Sequence, residues 1–198
     1  MTDPRPRRLV VGISGATGIA YGIRALELAR AASVETHLVI SKAADQTRAF
    51  ETDLTAADLR SLADVSYPIG DIGAAIASGS YPVDSMLIAP CSIRTLAAVA
   101  YANSDNLLTR AADVTLKERR PLVLLVREAP LTLTHLRAMT AVTECGGIVM
   151  PPVPAFYTRP QSVREIVEHT VIRALQSCGI HIDGAPTWDG NRVRQRNR

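Results

Sequence analysis

Apolar positions along this chain switch repeatedly between the two periods that distinguish strands from helices. Leu9-Val10-Val11 is an apolar, β-branched run that meets Gly12, Gly15 and Gly18 and then gives way to Ile19, Ile23, Leu26 and Ala29 at helical spacing, closing near Arg30. Val34 to Ile40 alternates and ends in an apolar run, which predicts a second strand with His37 on its solvent side. Ser41 is placed as the N-cap of a helix over Lys42 to Phe50, Glu51-Thr52-Asp53 ends it, and Thr55 caps a further short helix. Ser85-Met86-Leu87-Ile88-Ala89 reads as a short buried strand running into Pro90-Cys91-Ser92 and a helix from Ile93 to Ala102.

Leu107 to Glu118 is helical in pattern, Leu122 to Val126 is an apolar strand of the kind covered on both faces, and Thr134 to Cys145 is a helix closed by Gly146-Gly147. Ile148-Val149-Met150 is the last predicted strand. The proline-rich stretch from Pro151 to Tyr157 predicts a fixed extended loop. Ser162 to Glu165 has the capping-box form and opens a final helix to Cys178, stopped by Gly179, with a buried stripe of Val163, Ile166, Val167, Val171, Ala174, Leu175 and Cys178. Arg173 lies at the edge of that stripe. Strand and helix alternate through residues 9–178, which predicts a doubly wound, Rossmann- or flavodoxin-like parallel sheet of five or six strands with helices on both faces. A polar arm (residues 1–8), one α/β domain (9–182) and an Arg-rich, mobile tail (183–198) with Trp188 as its apolar anchor complete the expected organisation.

Composition narrows the function classes. The chain has 198 residues, enough for one good-sized core, and 47% of them are hydrophobic. No apolar run approaches the roughly 18 residues of a membrane span. The polar start enters a glycine turn rather than a cleavage site, so no signal peptide is expected. The formal net charge is +3, but the first eight residues and the last sixteen each carry +2, leaving the stretch between them slightly acidic. Nucleic-acid binding is therefore not indicated. Cys91, Cys145 and Cys178 form no zinc or redox spacing, which fits a reducing, cytoplasmic setting.

Candidate chemistry gathers at strand ends. The Gly12–Gly18 turn, followed by a helix, has the form of an anion cradle, with backbone N–H groups and a positive helix terminus, although its G-x-x-G-x-x-G spacing weighs equally as a plain structural turn. Pro90-Cys91-Ser92 repeats the same strand–turn–helix grammar, and ligands of open α/β sheets sit at such carboxyl ends. The small-residue stretch 69–82 is either a loop or the lining of a ligand or subunit contact. Arg110 and Lys117 share a helix face with Asp113 between them, a solvated ion-pair stripe on the simpler reading. Arg127-Glu128 ends a buried strand and must pair or face a cleft.

Taken together, several stretches resemble one family: G-I-S-G-A-T-G at 12–18, S-K-A-A at 41–44, E-T-D at 51–53, A-S-G-S at 77–80 and P-C-S-I-R-T-L at 90–96. With them go the run 107–123, R-E-A-P at 127–130 and P-P-V-P-A-F-Y-T-R-P-Q-S at 151–162. Over about residues 8–182 the chain resembles the flavin prenyltransferases of the UbiX type, a family that includes subunits B of hydroxyarylic acid decarboxylases. The resemblance implies a metal-independent transfer of a dimethylallyl group from dimethylallyl monophosphate to N5 and C6 of reduced FMN. It also implies hand-off of prenylated FMN to a UbiD-type decarboxylase, and a homododecamer with active sites between subunits.

Carried over by position, the flavin side would comprise Gly15, Ala16, Thr17, Ser41, Cys91, Ser92, Ile93, Arg94, Arg110 and Arg127. The prenyl phosphate would meet Lys117, Arg127, Tyr157 and Arg173. Glu51 and Glu128 would be the carboxylates beside the reacting atoms, with Glu128 as base, relayed through Thr17, and with Thr17 and Lys117 counted among the catalytic groups. Two departures stand out: Thr17 replaces a common serine, and Ile72 sits where some relatives carry a tryptophan. A cysteine decarboxylase of the related fold would need a catalytic histidine after the second helix and a P-x-M-N-x-x-M-W stretch, and the chain has neither. A non-catalytic flavin carrier, or a flavin-binding subunit that only supports an aromatic acid decarboxylase, would leave Lys117, Arg127 and Arg173 without a purpose.

Overall fold

The computed structural model describes residues 5–183; residues 1–4 and 184–198, and with them Trp188 and nearly all of the expected tail, lie outside the described residues. Among the described residues, six strands form one all-parallel sheet: β1 (Arg8–Ile13), β2 (Glu35–Ile40), β3 (Val65–Tyr67), β4 (Ser85–Cys91), β5 (Leu122–Val126) and β6 (Ile148–Val149). Their order is β3-β2-β1-β4-β5-β6. The chain thus builds outward from β1 in one direction, then returns and builds outward from β4 in the other. The gap above β1 and β4 is the topological switch point at which open α/β sheets bind ligands.

Seven α-helices among the described residues cover the two faces: α1 (Ile19–Ala31), α2 (Lys42–Glu51), α3 (Ala56–Ser61), α4 (Ile93–Ala100), α5 (Leu107–Lys117), α6 (Leu133–Glu144) and α7 (Val163–Ser177). One core layer joins β1, β2, β4 and β5 to α1 and α7, with Ala44 of α2 and Leu59 of α3 at its margin. The other packs Met86, Ile88 and Leu124 against α4, α5 and α6. β4 and β5 are buried at every position, as strands covered on both faces must be. No helix among the described residues is long and apolar enough to cross a membrane.

Four expectations change. His37 is 1% exposed, not solvent-facing, because helices and the 69–82 segment cover the face that alternation assigned to water. Its ring nitrogens lie 3.0 Å from the Tyr67 hydroxyl and 3.0 Å from a Glu35 carboxylate oxygen. Val163 is 76% exposed, since the first turn of α7 extends past the layer it packs on. The capping box at Ser162 is only half made: Ser162 Oγ accepts the Glu165 N–H at 3.2 Å, but the Glu165 carboxylate takes the N–H of Gln161 at 2.9 Å instead. β4 continues through Pro90 to Cys91, beyond the Ala89 at which the apolar run stops. The edge strand β3 carried no sequence signal, for it has three residues and the first two are exposed.

Gly22 sets the seat of α1 on the sheet. A Cβ there would lie 2.5 Å from the Ala89 carbonyl oxygen and 2.7 Å from Ile13 Cδ1, so the helix rests directly on the switch point. Helix propensity alone says that Gly22→Ala stabilises by up to about 1 kcal/mol. The close contact predicts the opposite sign, a loss of about 1–3 kcal/mol from overpacking. The urea midpoint of the variant decides between them: a fall is expected, and a rise contradicts the packing.

Candidate active site

Turns from three strand ends converge over the sheet and enclose a cavity of about 750 Å³, within the usual size of a cofactor or substrate site. Gly15 lines it from the β1 turn, Ser41, Lys42 and Ala43 from the β2 turn, and Ser92, Ile93, Arg94 and Thr95 from the β4 turn. Ile69 and Gly70 close one side; Asp105, Asn106, Leu108 and Glu128 complete the wall.

Local hydrogen bonding explains why these turns hold their positions. Ser14 is buried, and its hydroxyl accepts the Ser92 N–H at 2.7 Å while donating to the Pro90 carbonyl at 3.0 Å. Ser41 caps α2 by accepting the Ala44 N–H at 3.1 Å. Ser92 caps α4 through the Thr95 N–H at 3.3 Å, and Asn106 caps α5 through the Thr109 N–H at 3.1 Å. Three helix N-termini therefore face one cavity, each offering first-turn amides to an anion. At the rim Arg94 pairs with Asp105 at 3.2 Å. Gly15 is obligatory in this arrangement, because a Cβ there would fall 2.3 Å from the Ala43 Cβ.

The N-terminus of α1 is different, because a carboxylate already occupies it. Glu51 accepts the N–H groups of Gly18 at 2.8 Å and Ile19 at 2.9 Å, and the Thr17 hydroxyl donates to it as well. Partial burial would raise the Glu51 pKa. The hydrogen bonds from Thr17, Ile19 and Gly18, with the charge of Arg127, outweigh that and hold it below the ordinary value. Gly18 takes a left-handed conformation (φ 102°) at this helix start. The opening glycine turn is thus an anion cradle whose anion is the protein's own.

Of the residues singled out from the sequence, Gly15, Ser41, Ser92, Ile93, Arg94 and Glu128 line the cavity. Ala16 and Thr17 lie in the adjoining turn, and Thr17 bonds to Glu51 rather than to Glu128. Cys91 is fully buried in β4, and burial raises the pKa of its thiol. Arg127 follows β5, is exposed, and acts electrostatically on Glu51 and Tyr21. Arg110 pairs with Asp113 at 2.8 Å and reaches the Ala77 carbonyl at 3.3 Å.

Lys117 does not join that stripe, for it pairs with Glu118 instead. It ends α5, just before β5 begins, whereas Arg127 and Glu128 follow the other end of β5, about 16 Å away along a five-residue strand. Tyr157 bonds to His169 at 3.2 Å, and Arg173 lies one turn further along α7. The groups expected at one prenyl phosphate therefore come from the end of α5, the turn after β5, and the segment leading into α7 with α7 itself, and Lys117 and Arg127 lie at opposite ends of β5. Thr95, Asn106 and Lys42 were missed. The S-x-x-T and N-x-x-T spacings at 92–95 and 106–109, each at a helix start, were the available signal.

Comparison with known proteins assigns the family. The family model described as Flavoprotein matches residues 1–174. The flavin prenyltransferase UbiX of Neisseria meningitidis serogroup B is 58% identical over 184 residues, covering 93% of this chain and 97% of that protein. The chain belongs to the UbiX flavin prenyltransferases. Among solved structures, AnUbiX in complex with FMN and dimethylallyl pyrophosphate superposes with a TM-score of 0.92 at 45% identity, over 94% of this chain and 99% of that one. A dodecameric FMN-dependent UbiX-like decarboxylase from Escherichia coli O157:H7 gives 0.88 at 45% identity, over 92% and 99%.

In this UbiX family member the Glu51 contacts generate a pH-dependent expectation. The folded-state pKa is depressed, so the ionised carboxylate stabilises the fold above its unfolded value near 4.5, and that contribution is lost as pH falls through the folded pKa. Glu51→Ala should destabilise by about 1 kcal/mol at pH 7, as for the loss of a charged helix cap. The gap from wild type in urea midpoint should hold steady down to about pH 4.5 and close below it; a gap that persists in acid contradicts the assignment.

Proposed function

We propose that this flavin prenyltransferase binds reduced FMN in the cavity above β1 and β4 and attaches the dimethylallyl group of dimethylallyl monophosphate to N5 and C6. The prenylated FMN then passes to a UbiD-type decarboxylase. The observation that carries this reading is the convergence of the α2, α4 and α5 N-termini on one cavity of about 750 Å³ whose wall also holds the Glu128 carboxylate. The fit to FMN rests on the same features. A cavity of this size with anion-binding helix starts at one side suits a phosphate-bearing aromatic ligand, and the missing Cβ at Gly15 lets the β1 and β2 turns close together along its wall.

Ser92, Ile93, Arg94 and Thr95 would hold the FMN phosphate at the start of α4, with Arg110 nearby on α5. Gly15, Ala16, Thr17 and Ser41 would border the ring, and Cys91 would support the β4 turn from within. Reduced FMN supplies, when bound, the two nucleophilic positions. Glu128 accepts the proton that the acceptor releases, as a positioned base within the cavity. Arg127, Lys117, Tyr157 and Arg173 would meet the phosphate of the prenyl donor, where cationic donors stabilise the charge that develops as it leaves. Arg supplies a planar fork and Lys a point charge.

The dispersal of those donors over one chain supports a site completed by neighbouring copies. Exposed Leu131, Leu133 and Leu136 near the start of α6, and Phe156 and Val163 near α7, supply apolar surface for such contacts. We take the assembly to be a dodecamer, as in the Escherichia coli relative, working in the cytoplasm. Residues 9–182 act as one domain in this reading, with residues 1–8 as an arm and 183–198 as a tail.

The test is anaerobic incubation with reduced FMN and dimethylallyl monophosphate, followed by the mass of the released flavin. A mass raised by one dimethylallyl unit is expected, and unchanged FMN contradicts the proposal. In the same assay Glu128→Gln should bind FMN with wild-type affinity and slow transfer by roughly 10²-fold or more; normal turnover would remove Glu128 from its role as base.

A further inference from the structure

His37 is buried near the middle of β2, away from the cavity, yet both of its nitrogens are engaged. Glu35 can only accept at Nε2, being paired with Arg8 through two contacts of 3.1 Å. Nε2 therefore carries the proton, and Nδ1 accepts the hydroxyl of Tyr67. Burial lowers the His37 pKa, against the opposing pull of Glu35, which keeps the ring neutral and Nδ1 available as an acceptor.

Two tyrosines grip the imidazole, and they come from opposite ends of the 69–82 segment. Tyr67 stacks on the ring with centroids 5.9 Å apart, immediately before the segment begins. Tyr81 meets the ring edge-on at 5.7 Å, where the segment ends. Arg8 lies over the other side of this arrangement, 4.9 Å from the Tyr81 ring centroid. The segment itself is built largely of Gly, Ala and Ser; its middle is held by buried Ile76 and by the Arg110 and Arg120 guanidiniums, which donate to the Ala77, Gly79 and Tyr81 carbonyls, so the two tyrosines act at its ends. It forms one side of the cavity through Ile69 and Gly70, and the Ile69 carbonyl accepts the N–H of Leu107 at 2.9 Å, beside the Asn106 cap.

We propose that His37 is a positioning residue: by holding Tyr67 and Tyr81 it fastens both ends of the 69–82 segment and so fixes the Ile69–Gly70 wall against which the flavin binds. It touches neither flavin nor prenyl donor. It acts on affinity by keeping the ends of the segment, and with them the Ile69–Gly70 wall, in the arrangement the flavin needs, because any ordering left to the binding step costs free energy. The flavin part rests on the function proposed above; the fastening of the segment does not.

The experiment pairs two readouts on Tyr67→Phe, which removes only the hydroxyl, and on His37→Phe, which removes both polar contacts and keeps a ring. In the flavin-free protein, hydrogen exchange is followed at Ala74, Ala77 and Ser78, whose amides are bonded within the segment. Exchange there should rise by roughly fivefold in Tyr67→Phe, the equivalent of one hydrogen bond. The dissociation constant for FMN should rise by a similar factor, while the turnover number at saturating FMN stays at the wild-type value. Leu175→Ala, a core change on the opposite face of the sheet, is the control for general destabilisation and should alter neither readout. Unchanged exchange in the segment, an equal rise in Leu175→Ala, or unaltered FMN affinity in a variant whose segment has loosened would each overturn the proposal. Should the wild-type protein fail to bind FMN, the function would be wrong, and the exchange readout alone would still decide whether His37 fastens the segment.

Discussion

Everything at the carboxyl edge of this sheet depends on how closely the β1 and β4 turns approach each other, and one buried serine fixes that distance. Ser14 accepts from the Ser92 amide at 2.7 Å and donates to the Pro90 carbonyl at 3.0 Å, so the last polar groups of β4 are satisfied by the turn of β1. The Ser14 backbone N–H also donates to the Pro90 carbonyl at 3.2 Å, so one residue satisfies groups that would be costly to bury unpaired. With the turns joined, Gly15 comes against Ala43, the α4 cap faces the same space as the α2 cap, and the cavity has its shape. Gly22 works from below, where the lack of a side chain lets α1 rest on Ala89.

The same economy assigns two helix termini to different tasks. Glu51 fills the start of α1, within the sequence stretch that looked most like a phosphate cradle, while the start of α4 remains open to the cavity. A glycine turn leading into a helix signals that an anion is bound there, but not whether the anion is a ligand or a side chain from elsewhere in the fold. In this chain the glutamate comes from the end of α2, more than thirty residues later, and only tertiary structure could bring it back.

The limits of sequence reading follow the same physical line. Alternation of strand and helix was legible because each period is a local property, and the order of apolar runs was enough to specify a doubly wound sheet. The caps at Ser41, Thr55 and Ser92 were legible or partly so, since a cap needs only its own first turn. His37 was misplaced because alternation presumes that one face of β2 meets water. β3 was invisible because an exposed edge strand of three residues needs no apolar pattern. Lys117, expected from the resemblance at the same site as Glu128, ends α5 before β5 begins, whereas Glu128 follows the other end of that strand. Position in a sequence carries no information about how far apart two matched side chains lie in the fold.

In the proposed function, flavin phosphate binds at the start of α4 while Glu51 keeps the start of α1. A crystal structure of the protein with reduced FMN tests it most directly. The account predicts phosphate oxygens within hydrogen-bonding distance of Ser92, Thr95 and the first amides of α4, with the Glu51 carboxylate still on Gly18 and Ile19. A phosphate bound at Gly18 and Ile19, with Glu51 displaced, would contradict it.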